Sequence, residues 1–159
     1  MIKLDIGSGR AELKGYITVD KDKSVSADCV VDIEEDDVFQ KLFCKDILEI
    51  RCHHILEHIK TENKVKVMKL FWDLLEEGGV LDIEVPLFPE PESIQDPTHI
   101  SFWNKESFWY FIKGNNFGEA FAKRYSKYKV PLFSLVSDDL RTNKKNRAWA
   151  YKIKLQKKI

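Results

Sequence analysis

The first apolar run, Ile2 to Ile6, feeds directly into Gly7-Ser8-Gly9, and only nine residues, Gly7 to Gly15, lead from it to the next run at Tyr16 to Val19. A helical crossover between parallel strands takes a dozen or more residues, so this first connection is a loop and hardly admits a full helix. That removes the helix N-terminus on which a dinucleotide pyrophosphate normally rests, and the third glycine of the dinucleotide fingerprint is absent too. A cofactor without phosphates is the better match. The Gly-x-Gly turn itself lets backbone amides approach a ligand closely. Asp20, at the end of the second run, can accept hydrogen bonds from ribose hydroxyls, and Asp32, at the end of the third, can meet an adenine amino group. Three strand ends thus converge on one crevice, where open α/β sheets bind ligands.

Further runs at Cys29 to Ile33, Ile47 to Cys52 and Val80 to Val85 bring the strands to five. Glu34 to Cys44 reads as a short helix with acids at its positive end. A stronger helix follows the fourth strand: Thr61 caps it, Val67, Met68, Phe71, Leu74 and Leu75 keep helical spacing, and Gly78-Gly79 supplies a left-handed stop. After Pro86 comes a proline-containing loop, Leu87 to His99, long enough to be functional. Asn104 caps another helix that stops at Gly114, and about Tyr125 to Val136 and Trp149 to Leu155 read as an antiparallel strand pair. Strands alternating with helices make the fold α/β. A chain of 159 residues fits one domain, 1–159, which buries roughly 70% of its unfolded surface.

No stretch approaches the roughly 20 apolar residues of a membrane helix, and the N-terminus shows no signal-peptide pattern, so the expected location is cytoplasmic. Cys29, Cys44 and Cys52 form an odd set without CxxC spacing and read as small buried hydrophobes. The net charge of zero conceals a split. From Phe121 onward 12 Lys and Arg stand against 2 Asp, a balance of +10, leaving −10 on residues 1–120. Such a tail suits an anionic partner, RNA included, or solvated strand faces; the latter is favoured because no compact basic cluster with interleaved stacking aromatics stands out.

The order Asp5-x-Gly7-x-Gly9, Lys14-Gly15-Tyr16-Ile17-Thr18-Val19-Asp20, His54-Ile55-Leu56-Glu57-His58-Ile59, Leu74-Leu75-Glu76-Glu77-Gly78-Gly79-Val80-Leu81 and Val85-Pro86 resembles, over most of the chain, the small class I (Rossmann-like) S-adenosylmethionine-dependent methyltransferases. Asp96-Pro97-Thr98-His99, with Phe102, Trp103 and Phe108, resembles a segment found after strand five in many of them. The resemblance implies a Rossmann-like sheet of about seven strands with a C-terminal antiparallel pair, and S-adenosylmethionine as cofactor. It further implies that Asp5, Gly7 and Gly9 line the methionine half, that Asp20 holds the ribose, that Asp32 and Ile33 flank adenine, and that His53 lies near the sulfonium. The chain departs from the pattern at the third glycine, at Leu48 where an acid is common, and in the helices before strands one, two and three, which are missing or vestigial.

His54 and His99 are the expected general bases, because both lie in segments facing the acceptor side and imidazole suits near-neutral proton transfer. His58 reads as scaffold, and Phe102 and Trp103 as core more than as an acceptor wall. His54-Ile55-Leu56-Glu57-His58 also matches the H-x-x-E-H pattern of inverted zinc peptidases, but a hydrolytic zinc site needs a third protein ligand, and no metal is expected. The preferred function is methyl transfer to a small molecule, metabolite or saccharide. The alternatives are a non-catalytic cofactor-binding or interaction module, and an RNA methyltransferase using the basic tail; nucleic acid is the less favoured partner. Finally, the strands alternate: Lys3, Glu49, Arg51, Asp82, Glu84 and Lys152 contrast with apolar neighbours. Alternation marks a sheet with one wet face, so a reduced two-layer form is expected, with helices mainly on one face and these six residues open to water or a polar partner.

Overall fold

The computed structural model describes residues 2–10, 13–35 and 46–158. Seven strands, β1 (Ile2–Ile6), β2 (Ile17–Asp20), β3 (Cys29–Val30), β4 (Ile47–His53), β5 (Leu75–Pro86), β6 (Ser134–Thr142) and β7 (Ala148–Gln156), form one sheet in the order β3-β2-β1-β4-β5-β7-β6. The first five are parallel to one another, and β7 is antiparallel to both β5 and β6. The order reverses between β1 and β4, which creates the switch point where such sheets bind ligands. The helices are α1 (Lys64–Leu74), α2 (Pro91–Ile94), α3 (Lys105–Trp109) and α4 (Asn116–Arg124), with 3₁₀ turns at Leu56–His58, Thr61–Asn63 and Ser126–Tyr128. The described part of the β1–β2 connection holds only turns, as its length requires. The helix expected at Glu34 to Cys44 lies, beyond its first two residues, outside the described residues, as does Cys44.

Leu4, Ile6, Ile50, Cys52, Leu81, Ile83 and Val85 share one face of the sheet and are 2% exposed or less. They join Val67, Met68, Phe71 and Leu74 of α1, and Trp103, Phe108, Phe111 and Phe133, in a single core. The other face carries the alternate residues. Lys3 pairs with Glu49 at 2.9 Å, Arg51 with Asp5 at 2.6 Å, and Asp82 with His53 at 3.0 Å, Lys154 at 3.1 Å and Lys152 at 3.3 Å. Glu84 meets His54 at 3.1 Å and Arg141 at 3.6 Å. No helix of the described residues supplies any of these partners, in keeping with the one-sided layering read from alternation. Asp82 and Glu84 are nevertheless buried, at 5% and 7% exposed, because cationic side chains of neighbouring strands and loops lean over them. An uncompensated carboxylate there would be costly.

Several local expectations change. Thr61 does not cap α1; its hydroxyl reaches the Ile100 carbonyl at 3.5 Å, and the helix starts at Lys64. The helix ends at Leu74, not at Gly78-Gly79, because Leu75 already pairs with Ile47 and begins β5. Gly78, at φ +83, instead kinks that strand, its N–H donating to the Lys157 carbonyl at 2.9 Å. The strand expected at Tyr125 to Val136 is replaced by the end of α4, a 3₁₀ turn and a left-handed Lys129, and β6 begins only at Ser134. Helix α4 is set by Asn115, whose side chain accepts from Phe117 N–H at 2.9 Å, and by Lys123 and Arg124 in its last turn, which face the negative end of the helix dipole. Asn104 does cap α3, in a reciprocal capping box with Ser107, but the helix ends at Trp109 and does not run to the expected stop at Gly114.

Candidate functional site

The carboxyl ends of β1, β2 and β3 and the segment after β4 enclose a small crevice of about 100 Å³ that opens to solvent, at the edge of the sheet where such folds bind ligands. Its walls are Ile6, Gly7, Val19, Asp20, Lys21, Val31, Asp32, Ile33, Ile55, His58 and Ile59. The two loops at its mouth are tied together by Asp20. One carboxylate oxygen accepts the Gly9 N–H and the other the Asp22 N–H, both at 2.9 Å. This holds the acid at the end of β2 in one orientation, with lone pairs left for a diol. Asp32 accepts the Glu34 N–H at 2.9 Å and lies 3.8 Å from Lys21 Nζ. Ile33 is buried beside it. Gly7 is required twice over: its φ is +70, and a Cβ there would stand 1.7 Å from Ile55 Cδ1. Ile55 therefore packs directly on the glycine turn. Gly9, at φ +56, has open space where a Cβ would lie.

Of the residues expected to hold a cofactor, Gly7, Asp20, Asp32 and Ile33 line the crevice, and Gly9 joins it through Asp20. Asp5 and His53 do not line it. Asp5 is fully buried, its Oδ1 bonded to Arg51. His53 lies on the charged face with its Nε2 3.0 Å from Asp82. Burial alone would raise the Asp82 carboxyl, but hydrogen bonds from His53 and Lys154, and the charges of His53 and Lys152, outweigh it and hold the pKa at about 2. Ile55, Ile59, Val31 and Lys21 were not legible as wall residues. Ile55 is aimed at Gly7 by the backbone of His54, which turns left-handed at φ +56, and nothing in the residue types signals that.

The acceptor-side histidines differ. His54 stacks on Trp149, with ring centroids 5.8 Å apart and 7° between planes. Its Nε2 is 3.1 Å from Glu84 and its Nδ1 3.6 Å from Glu57. Hydrogen bonding to Glu57 lifts its pKa above the usual histidine value against the opposing effect of burial, and the Glu57 charge and Glu84 add to the rise. Both ring nitrogens are thus engaged by carboxylates, so the geometry leaves His54 no free nitrogen with which to act as a base. His99 has its Nδ1 facing the Ser93 carbonyl at 3.1 Å, and its Nε2 lies 3.8 Å from Asp96 Oδ2. His54 and His58 also fail the zinc-peptidase geometry: they do not share a helix, and His58 turns instead to Thr98 and His99. Trp103 is core, 2% exposed, its indole N–H donating to the Leu56 carbonyl at 3.1 Å. Phe102 is 43% exposed and pairs with Phe88. Burial pushes the Cys52 thiol well up, consistent with an inert packing residue.

No family model matches the chain, and no curated protein matches it. Solved structures do resemble it. An S-adenosylmethionine-dependent methyltransferase from Archaeoglobus fulgidus aligns over 98% of this chain and 85% of its own, at 17% identity and a TM-score of 0.70. The small RNA methyltransferase HEN1 aligns over 99% of this chain but 23% of its own, at 14% identity and TM-score 0.64. The 1,6-didemethyltoxoflavin-N1-methyltransferase of Burkholderia thailandensis, solved with S-adenosylhomocysteine, aligns over 99% of this chain and 71% of its own, at 12% identity and TM-score 0.62. The chain has the fold of the class I S-adenosylmethionine-dependent methyltransferases, with a seven-stranded mixed sheet, a C-terminal antiparallel pair and few helices. No helix of the described residues is long and apolar enough to cross a membrane.

Proposed function

We propose that the chain is an S-adenosylmethionine-dependent methyltransferase acting on a small molecule, metabolite or saccharide. The observation that carries this reading is the clasp at Asp20, an acid fixed by Gly9 and Asp22 at the mouth of a crevice in the methyltransferase fold. The residues present suit the cofactor. Asp20 takes the ribose hydroxyls, Val31, Asp32 and Ile33 flank the base, and Gly7 and Gly9 leave backbone accessible to the amino-acid end. Ser8 Oγ and Asp5 Oδ2, close to the glycine turn, are buried without a protein partner, which suits a zwitterionic group nearby. When bound, the cofactor supplies the methyl group on a sulfonium. The chain's own part is to align and desolvate the acceptor, and a base is needed only for an acceptor that carries a proton.

Titration calorimetry with S-adenosylhomocysteine tests the site. Asp20→Asn retains an oxygen for the Gly9 N–H but loses the charge, and we expect affinity to fall by about 1.5–3 kcal/mol, roughly 10- to 150-fold. Absence of binding to the wild-type chain, or unchanged affinity in the variant, overturns the assignment. Radiolabelled cofactor with fractionated extract then identifies the acceptor.

A second reading, methylation of RNA, is favoured by one observation. Around α4, Tyr110, Phe117 and Tyr128 are 40–55% exposed, with Arg124 beside the Tyr125 ring and Lys127 Nζ 4.8 Å from the centre of Tyr128. Exposed rings interleaved with cations are a stacking surface for single strands. RNA binding that weakens steeply with salt supports it; binding absent at low salt rejects it.

A further inference from the structure

The turn after β4 and the loop after β5 bring Glu57, His58 and His99 together, with one potential ligand atom of each within 4.8 Å of the others. We infer that these three side chains bind a divalent transition-metal ion of the zinc type, leaving coordination positions open to solvent. Four observations carry this.

The donor set is the first. Two imidazoles and one carboxylate form the ligand set of an open, three-protein-ligand zinc site, and imidazole suits late first-row ions over magnesium or calcium. The second is ring orientation. His99 Nδ1 lies 3.1 Å from the Ser93 carbonyl and His58 Nδ1 3.1 Å from the Thr98 carbonyl. A carbonyl only accepts, so each Nδ1 carries a hydrogen, and in the neutral ring it is Nε2 that presents the lone pair. Such outer hydrogen bonds are what orient metal-ligating histidines. The nearest competitor is Asp96, whose Oδ2 is 3.8 Å from His99 Nε2, but its other oxygen is already engaged by the Thr98 N–H and hydroxyl.

The third is an orphaned carboxylate oxygen. Glu57 is 3% exposed, and its Oε2 is buried with no hydrogen-bond partner. Its Oε1 has only His54 Nδ1, at 3.6 Å. A buried carboxylate oxygen is not normally left without a donor or a cation, and an ion between Glu57 and the two imidazoles supplies the missing partner. The fourth is preorganisation. The loop bearing His99 is stitched to the turn bearing Glu57 and His58 by four hydrogen bonds: Ile100 N–H and Ser101 N–H to the Glu57 carbonyl at 2.9 and 3.0 Å, and Ser101 Oγ and Trp103 Nε1 to the Leu56 carbonyl at 2.7 and 3.1 Å. The three ligands therefore sit on a common, tied backbone. This is not the H-x-x-E-H site of the sequence pattern: His54 is taken by Glu84 and Trp149, and His99, over 40 residues away in the chain, takes its place.

The site does not depend on the cofactor reading, so metal alone is the probe. Full-length protein stripped with chelator and dialysed against Zn²⁺ should retain about one ion per chain, and Co²⁺ should give the visible bands of a four- or five-coordinate ion with nitrogen ligands. Glu57→Gln and His99→Gln should each weaken Zn²⁺ at least about tenfold, with circular dichroism confirming that they fold. On the wild-type chain, imidazole NMR signals of His58 and His99 should shift on adding Zn²⁺ while those of His53 do not; this arm stands even if a variant fails to fold. No retained ion, non-saturating binding at several sites, undiminished affinity in the folded variants, or shifts at His53 and not at His58 and His99 overturns the inference.

Discussion

Asp82 is the charge on which the polar face of the sheet turns, and its removal has a calculable signature. Its carboxylate serves His53, Lys152 and Lys154, and these partners hold its pKa at about 2 against an ordinary 3.8. At about 1.36 kcal/mol per pKa unit, that difference amounts to about 2 kcal/mol of folding free energy. The sign follows from linkage. A pKa lower in the folded than in the unfolded chain gives stability that is complete above about pH 4 and is lost as the pH falls towards 2, with roughly 1 kcal/mol gone by about pH 3. Asp82→Asn keeps the size and removes the charge, so the variant should be less stable by about 2 kcal/mol at neutral pH. The gap should close with acidification, because wild type loses by protonation what the variant already lacks. Urea unfolding followed by circular dichroism at a series of pH values measures this, and urea, unlike a salt denaturant, leaves the ion pairs unscreened. A gap equally wide at about pH 3 and at neutral pH, or no gap at neutral pH, refutes the reasoning.

Gly7→Ala places a methyl 1.7 Å from Ile55 Cδ1 at a φ of +70; we expect a loss of at least about 1–2 kcal/mol from the backbone alone. Adding Ile55→Ala should relieve the clash but not that backbone share, which thermal unfolding of the single and double variants separates. Asn104→Ala removes the cap of α3 and should cost about 1 kcal/mol in urea unfolding, whereas Asn104→Asp, which keeps the acceptor for Ser107, should cost far less.

What was legible in the chain was what depends on period and spacing. The alternation of Leu4 and Ile6 with Lys3 and Asp5, repeated in β4, β5 and β7, declares a one-sided sheet, and the nine residues after Ile6 exclude a helix. Asp20 could be placed at the end of β2, whereas Asp32 lies two residues beyond β3, which ends at Val30 and not at Ile33 as expected. The errors came where local composition and tertiary demand part company. Tyr125 to Val136 is rich in residues that favour strands, yet Lys129 adopts a left-handed conformation and the paired edge strand begins later. Gly78-Gly79 is a sound helix stop in isolation, but Leu75, 1% exposed, is worth more to the sheet than to another turn of helix. The histidines could not be sorted from sequence at all. The left-handed backbone at His54 sends its ring to Trp149 while His58 faces a loop 40 residues on. Pairings of that kind arise from long-range packing, which no local pattern encodes.

The pairing of β1 with β4 sets Lys3 opposite Glu49 and Asp5 opposite Arg51. Sliding one strand by a single residue would turn its apolar side outward, so the hydrophobic pattern forbids odd displacements. It is blind to even ones, since a shift of two returns every apolar residue to the same side. The charges see what it misses. A two-residue shift one way sets Lys3 against Arg51, and the other way sets Asp5 against Glu49; either meets like charge with like. The two alphabets, greasy against polar and plus against minus, check each other in the manner of a parity bit, and together they leave these parallel strands one way to zip.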